Sequence, residues 1–251
     1  MPQALAIIPA RYDSTRFPGK PLADKTGKPL IQHVVEQVRK AKHVQRIIVA
    51  TDDQRIANAV TSFGGHVCIT RNDHPNGTSR IAEVVEKLQQ ENDPNLPGII
   101  VNVQGDEPEI EPHVIDQLIL GLAADPDAPM ATLASDFTPD EDPADPNIVK
   151  LLINQQNRAI YFSRSLVPFP REKHLAPAPL KHPGLYAYRP DFLIKYPTLA
   201  PTPYEQTESL EQLRALEHGY YIAVIKTTVQ HHGIDTPEQY QAFVQRIASA
   251  K

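Results

Sequence analysis

The sequence predicts an α/β fold on a mainly parallel sheet, and three observations carry that reading. Short apolar runs alternate along the chain with stretches of helical period. The run Gly98-Ile99-Ile100-Val101-Asn102-Val103 is apolar without alternation, as a strand covered on both faces must be. Two such runs open directly into loops of glycine and charged residues, the place where open α/β sheets gather ligands. In chain order, strands are predicted at 4–9, 45–50, 66–70 and 98–103, the first from Leu5-Ala6-Ile7-Ile8-Pro9. Helices are predicted near 29–41, 53–63, 78–91 and 112–123, and two more strands at Met130–Ala134 and 148–153. Beyond residue 137, prolines at 139, 143, 146, 168, 170, 177, 179 and 183 mark loops, since recognisable elements resume on both sides. The reading is one domain, 1–251, with a smaller subregion at about 137–190 and a flap at 165–183. An apolar stretch at 221–225 and a C-terminal helix complete it.

Composition narrows the class. Hydrophobic residues at 41% and charged residues at 22% are ordinary for a globular chain. A net charge of −5 argues against nonspecific nucleic-acid binding. Cys68 stands alone, so no internal disulfide forms and a reducing compartment fits; its setting, His66-Val67-Cys68-Ile69, predicts a buried thiol. With no long apolar span and no basic-plus-apolar leader, the expectation is a cytoplasmic chain without membrane contact.

The chemistry concentrates at strand ends. After the first strand come Ala10-Arg11-Tyr12-Asp13-Ser14-Thr15-Arg16-Phe17-Pro18-Gly19-Lys20-Pro21-Leu22, three cations and two hydroxyls in one loop. Pro21 after Lys20 excludes a Walker A loop, which needs Ser or Thr there before a helix. Arg11, Arg16 and Lys20 together would offset most of the charge of a triphosphate, although an isolated basic loop is more often a solvated turn. Gly105 lets the backbone pass close to a ligand, and Asp106 at the strand's carboxyl end is placed to hold a hard cation. Asp235, before Thr236-Pro237-Glu238, reads either as a second acid or as a helix N-cap.

Taken in order, Ile8-Pro9-Ala10-Arg11, Ser14-Thr15-Arg16, Pro18-Gly19-Lys20-Pro21-Leu22, Ala50-Thr51-Asp52, Asn102-Val103-Gln104-Gly105-Asp106-Glu107-Pro108, Tyr161-Phe162-Ser163-Arg164, Leu210-Glu211-Gln212-Leu213-Arg214 and Gly233-Ile234-Asp235-Thr236-Pro237 resemble the 3-deoxy-manno-octulosonate (Kdo) cytidylyltransferase family. The resemblance runs over nearly the whole chain. It implies a three-layer Rossmann-like nucleotidyltransferase fold whose smaller subregion serves sugar binding and homodimer contacts. It implies the reaction of CTP with Kdo to give CMP-Kdo and diphosphate, in lipopolysaccharide biosynthesis, with Mg2+ as cofactor. Chemistry of this kind runs on positioning and electrostatics, so cations and metal-binding acids are expected in place of a nucleophile.

Carried over residue by residue, the resemblance implies Lys20, Arg16 and Asp106 as catalytic, and Asp106 with Asp235 as magnesium ligands. Nucleotide contacts are Pro9, Ala10, Arg11, Ser14, Arg16, Lys20, Asn76, Gly77, Arg80 and Gln104. Sugar contacts are Gln104, Arg164, His182, Tyr186 and Glu211, with Arg164 suited to the Kdo carboxylate. Each has a plainer reading: Arg164 as a structural ion-pair partner, His182 as a surface imidazole, Tyr186 as core packing, Glu211 as a solvated residue of an amphipathic helix. The chain departs from the family pattern at Ser79, where an acid usually precedes the arginine, and at Pro183, where an aliphatic residue is usual. Alternatives are a cytidylyltransferase for 8-amino-Kdo or a sialic acid, and a catalytically silent nucleotide-binding protein. A glycosyltransferase would show Asp-x-Asp after a strand, a form that Asp106-Glu107-Pro108 lacks.

Overall fold

The computed structural model describes residues 1–13, 16–172, 174, 177–229 and 233–249. The chain divides into two compact units, Met1–Asp116 with His231–Lys251, and Gln117–Gln230.

In the first unit, β1 (Ala4–Pro9), β2 (Val44–Thr51), β3 (Val67–Ile69) and β4 (Ile100–Asn102) pair in the order β3-β2-β1-β4, every pair parallel. Ala4 to Ile8 are fully buried, which is why β1 tolerates no polar alternation. Parallel neighbours need crossovers, and amphipathic helices supply them. The helix α1 (Leu30–Val38) buries Leu30, Ile31, Val34, Val35 and Val38 along one face. Asp53 caps α2 (Gln54–Ser62) by accepting from the Arg55 N–H, and Asn76 caps α3 (Gly77–Gln90) by accepting from the Ser79 N–H. The C-terminal helix Pro237–Ser249 folds back so that Tyr240 and Phe243 pack with Leu30 and Ile234. Cys68 is half-buried, not a core thiol, because β3 is the edge strand of this sheet and its side chains are only partly covered.

Helix α4 (Pro112–Ala124) carries the chain into the second unit, where strand directions are mixed. There β5 (Met130–Asp136) is antiparallel to β8 (Leu180–Lys181) and β9 (Tyr186–Tyr188) and parallel to β10 (Ile222–Thr227), while β6 (Lys150–Ile153) and β7 (Ala159–Ser163) form a hairpin. Asn157, at φ 53, supplies the left-handed residue of the hairpin turn, and a connection that short permits only antiparallel pairing. The predicted subregion at 137–190 lies within this unit. Its predicted flap, 165–183, is not loop throughout: Leu180 and Lys181 are β8, held between β5 and β6. The remaining helices are α5 (Pro190–Lys195), α6 (Pro203–Glu208), which opens with a reciprocal Thr202–Glu205 cap, and α7 (Leu213–Glu217).

Gly121 of α4 faces the Ile225 side chain of β10. A Cβ there would collide with the Ile225 side chain. Gly121→Ala is expected to destabilise the protein by about 1–3 kcal/mol through overpacking, read as a lowered urea midpoint in equilibrium unfolding. An unchanged midpoint would show that Ile225 repacks without cost.

Candidate active site

The carboxyl ends of β1 and β4 and the start of α3 meet in the first unit around a cleft of about 400 Å³. It is lined by Pro9, Ala10, Arg11, Arg16, Lys20, Asn76, Gly77, Arg80 and Gln104, together with Asp106 and Asp235. Those are all the nucleotide contacts expected from the sequence except Ser14, which lies outside the described residues.

Local physics explains each position. The Ala10 N–H donates to Ala50 O at 2.8 Å, so the chain leaves β1 in sheet register and Arg11 emerges at the edge. The loop closes where the Gly19 N–H donates to Tyr12 O at 2.9 Å; Gly19 has φ 71, a backbone state that favours glycine, and a short 3-10 turn over Lys20–Leu22 follows. Tyr12 is in turn stacked beneath the Arg55 guanidinium, 3.4 Å from the ring centroid. At the end of β4 the Val103 N–H donates to Ile7 O, and a Cβ on Gly105 would sit 2.8 Å from Pro9 O. Glycine is the residue that lets the two strand ends come this close.

Asp106 and Asp235 are neighbours because backbone links them: the Ile234 N–H donates to Asp106 O at 2.9 Å. Packing of Ile234 with Leu30, Tyr240 and Phe243 holds that link in place. Lys20 completes the cluster. Its Nζ donates to Asp106 Oδ2 at 2.7 Å and to Ile234 O at 2.7 Å, and lies 3.6 Å from Asp235 Oδ1. Arg16 Nη2 reaches the same Asp235 oxygen at 3.0 Å, on a more exposed flank. Asp235 therefore faces two cations, which an N-cap role alone would not explain. Among the described residues no group of three or more His, Cys, Asp or Glu is arranged to hold a metal.

The loop at 73–80 has its own charge balance. Arg80 is nearly buried; its Nη1 donates to Thr70 Oγ1 at 2.6 Å and stands 3.0 Å from Asp52 Oδ1. An acid from just past the end of β2 thus stands beside Arg80. His74 is held between Ser79 Oγ and Glu83, whose Oε2 meets Nε2 at 2.5 Å. Burial raises the Glu83 carboxyl, but hydrogen bonds from Lys87, His74 and the Arg71 N–H outweigh it and bring it down to about 2. Asp52, His74 and Glu83 were given no role from the sequence. The available signal was Asp52 closing a strand as Asp106 does; Glu83 gave none, lying one helical turn past Arg80 with a partner nine residues back.

The other sugar contacts expected from the sequence lie in the second unit. Arg164 Nε donates to Glu208 O at 2.7 Å, Nη1 to Pro146 O at 2.9 Å and Nη2 to Ser209 O at 3.4 Å. Among the described residues three of its five N–H groups are engaged with carbonyls, which leaves one on each terminal nitrogen. The His182 ring lies edge-on to Phe162, with centroids 4.9 Å apart, and 5.2 Å from the Tyr186 ring. Burial pushes the Tyr186 phenol well above its ordinary range and pulls His182 down to about 3, so both are neutral. Glu211 is not on a helix. Ser209, at φ 52, ends α6, and Glu211 occupies the turn before α7, where its carbonyl accepts from the Tyr196 hydroxyl.

No helix is long and apolar enough to cross a membrane among the described residues. Residues 5–227 match the family model described as Cytidylyltransferase. The chain is 47% identical over 241 residues to the 3-deoxy-manno-octulosonate cytidylyltransferase of Syntrophotalea carbinolica, covering 93% of this chain and 94% of that one. It is 48% identical over 245 residues to the enzyme of the same name from Syntrophobacter fumaroxidans, covering 97% and 96%. Among solved structures, a CMP:2-keto-3-deoxy-manno-octonic acid synthetase complexed with CTP is similar at TM-score 0.91 and 42% identity, over 99% of this chain and 100% of that one. A cytidylyltransferase from Leptospira borgpetersenii shares the fold at TM-score 0.61 and 16% identity, over 99% and 88%. The chain belongs to the 3-deoxy-manno-octulosonate cytidylyltransferase family.

Proposed function

We propose that this protein transfers the cytidylyl group of CTP to the anomeric hydroxyl of Kdo, releasing diphosphate, a step of lipopolysaccharide biosynthesis. The observation that carries the reading is the cluster in which Lys20 joins Asp106 to Asp235 at the floor of a cleft lined by Arg11, Arg16 and Arg80. In the reaction the sugar oxygen bonds to the α-phosphorus while the bond from that phosphorus to the β-phosphate oxygen breaks. The electron pair leaves with diphosphate, and the hydroxyl gives its proton to solvent.

Arg11 and Arg16 grip the phosphate oxygens in pairs, and Lys20 meets the charge that gathers on the leaving diphosphate. The capped start of α3, with Asn76 and Gly77, offers backbone groups to the cytosine, and Arg80 is fixed beside it by Asp52 and Thr70. The residues present fit Mg2+: two carboxylates already share one cation, the Lys20 ammonium, and magnesium takes few protein carboxylates while keeping water. Asp106 and Asp235 would hold it; when bound, it neutralises charge on the α-phosphate and the leaving group.

For the sugar acid, Gln104 lines the cleft, and the proposed contacts in the second unit are Arg164, His182, Tyr186 and Glu211. The two N–H groups of Arg164 that have no partner among the described residues suit a carboxylate. The same reading carries a cytoplasmic homodimer. Exposed Ile160, Leu166, Phe169 and Tyr204 in the second unit support the dimer, and sedimentation as a monomer would remove it.

The test is diphosphate release from CTP and magnesium with Kdo, 8-amino-8-deoxy-Kdo and a sialic acid offered separately. Release with Kdo is expected. Release chiefly with another acid moves the substrate and keeps the mechanism, and silence with all three overturns the enzymatic reading.

A further inference from the structure

The hydrogen bonds around His182 settle which of its nitrogens carries the proton, and Thr132 is the residue that decides it. Thr132 is fully buried on β5, at the register position opposite Tyr186. Its hydroxyl has one hydrogen and two partners: Leu185 O at 2.7 Å and His182 Nε2 at 2.9 Å. A carbonyl oxygen only accepts, so the hydrogen goes to Leu185. What the hydroxyl turns toward the imidazole is then a lone pair, and Nε2 must be the donor. Burial keeps the ring neutral, so a proton on Nε2 leaves none for Nδ1. Among the described residues Nδ1 has no hydrogen-bond partner; the ring packs against the Phe162 and Tyr186 rings, and the His182 backbone N–H donates to Val149 O at 2.9 Å.

We propose that Thr132 is a positioning residue that locks His182 as the Nε2–H tautomer, so that Nδ1 is an obligate acceptor reserved for a hydroxyl of the sugar acid. The proposal rests on the reading of His182 as a sugar contact. Its chemical consequence is selectivity: an acceptor nitrogen takes a hydroxyl hydrogen and gives nothing to a carboxylate or keto oxygen, whose lone pairs it would repel. A sugar acid entering reversed, carboxylate toward His182, meets no donor on Nδ1.

The experiment is nitrogen NMR of the full chain labelled with 15N-histidine, paired with kinetics of Thr132→Val and Thr132→Ser. Wild type is expected to show His182 with a protonated Nε2 and a bare Nδ1. Thr132→Val, which keeps the shape and leaves an Nε2–H without an acceptor, should mix the tautomers in favour of Nδ1–H and raise the KM for the sugar acid roughly tenfold, as leaving about a tenth of the protein in the accepting form requires, with the KM for CTP and kcat moving less than about twofold. Thr132→Ser should restore both signals. Thermal unfolding of each variant separates this outcome from loss of fold. A protonated Nδ1 in active wild type, or a mixed-tautomer Thr132→Val with unchanged sugar KM, overturns the proposal. An Nε2–H wild type that is silent with every sugar acid overturns the substrate reading instead, and with it the hydroxyl contact.

Discussion

Asp106→Asn is expected to lower kcat by at least roughly a hundredfold while the protein keeps its fold, because the substitution preserves shape and removes the charge that the site is built around. The backbone bond from the Ile234 N–H to Asp106 O does not involve the carboxylate, so the link between the end of β4 and the C-terminal helix survives. The substituted amide would still offer Lys20 an oxygen but no negative charge. The check is diphosphate release at saturating CTP and sugar, beside a thermal melt. Near-normal turnover in the variant would sink the role given to Asp106, whatever the melt shows.

Lys20→Ala is the second large effect, and its signature differs. Among the described residues the ammonium is the cation that reaches both acids, so its loss should raise the KM for CTP by roughly 10- to 100-fold, the worth of one charge-assisted contact to phosphate. Stability should fall by far less, since Arg16 remains on Asp235 and both carboxylates are partly exposed to water that can hydrate them. Titration of CTP into the variant, set against its melting temperature, separates the two effects. If folding fails in step with binding, Lys20 is structural and the cleft's cation is another residue.

How much of this was legible in the sequence depends on how far apart the interacting residues lie. β1 and β4 were readable because a parallel strand covered on both faces has no polar side to interrupt its apolar run, and Ala4–Ile8 and Ile100–Val103 are buried throughout. The Arg11–Lys20 loop was readable because its cations are close together in the chain. The nearness of Asp235 to Asp106 came only through family resemblance: it depends on Ile234, Tyr240 and Phe243 packing on Leu30, and no local pattern encodes that. The departure at Ser79 left the charge around Arg80 open, and no local pattern shows that parallel pairing of β2 brings Asp52 to the same edge. Glu211 was taken for helical because its surroundings are amphipathic, yet the left-handed Ser209 breaks the run into two short helices. A positive φ at a non-glycine residue is set by tertiary context and leaves no mark in composition.

The Lys20 bridge gives the cleft a property beyond binding. With an ammonium between them, Asp106 and Asp235 sit together without mutual repulsion, and the pocket holds its shape with an internal counter-ion. Any triphosphate that draws the lysine toward its own oxygens uncovers the pair of acids, and any cation that settles on the acids frees the lysine for phosphate. Each ligand then raises the affinity for the other by the same factor, a thermodynamic reciprocity written into one side chain.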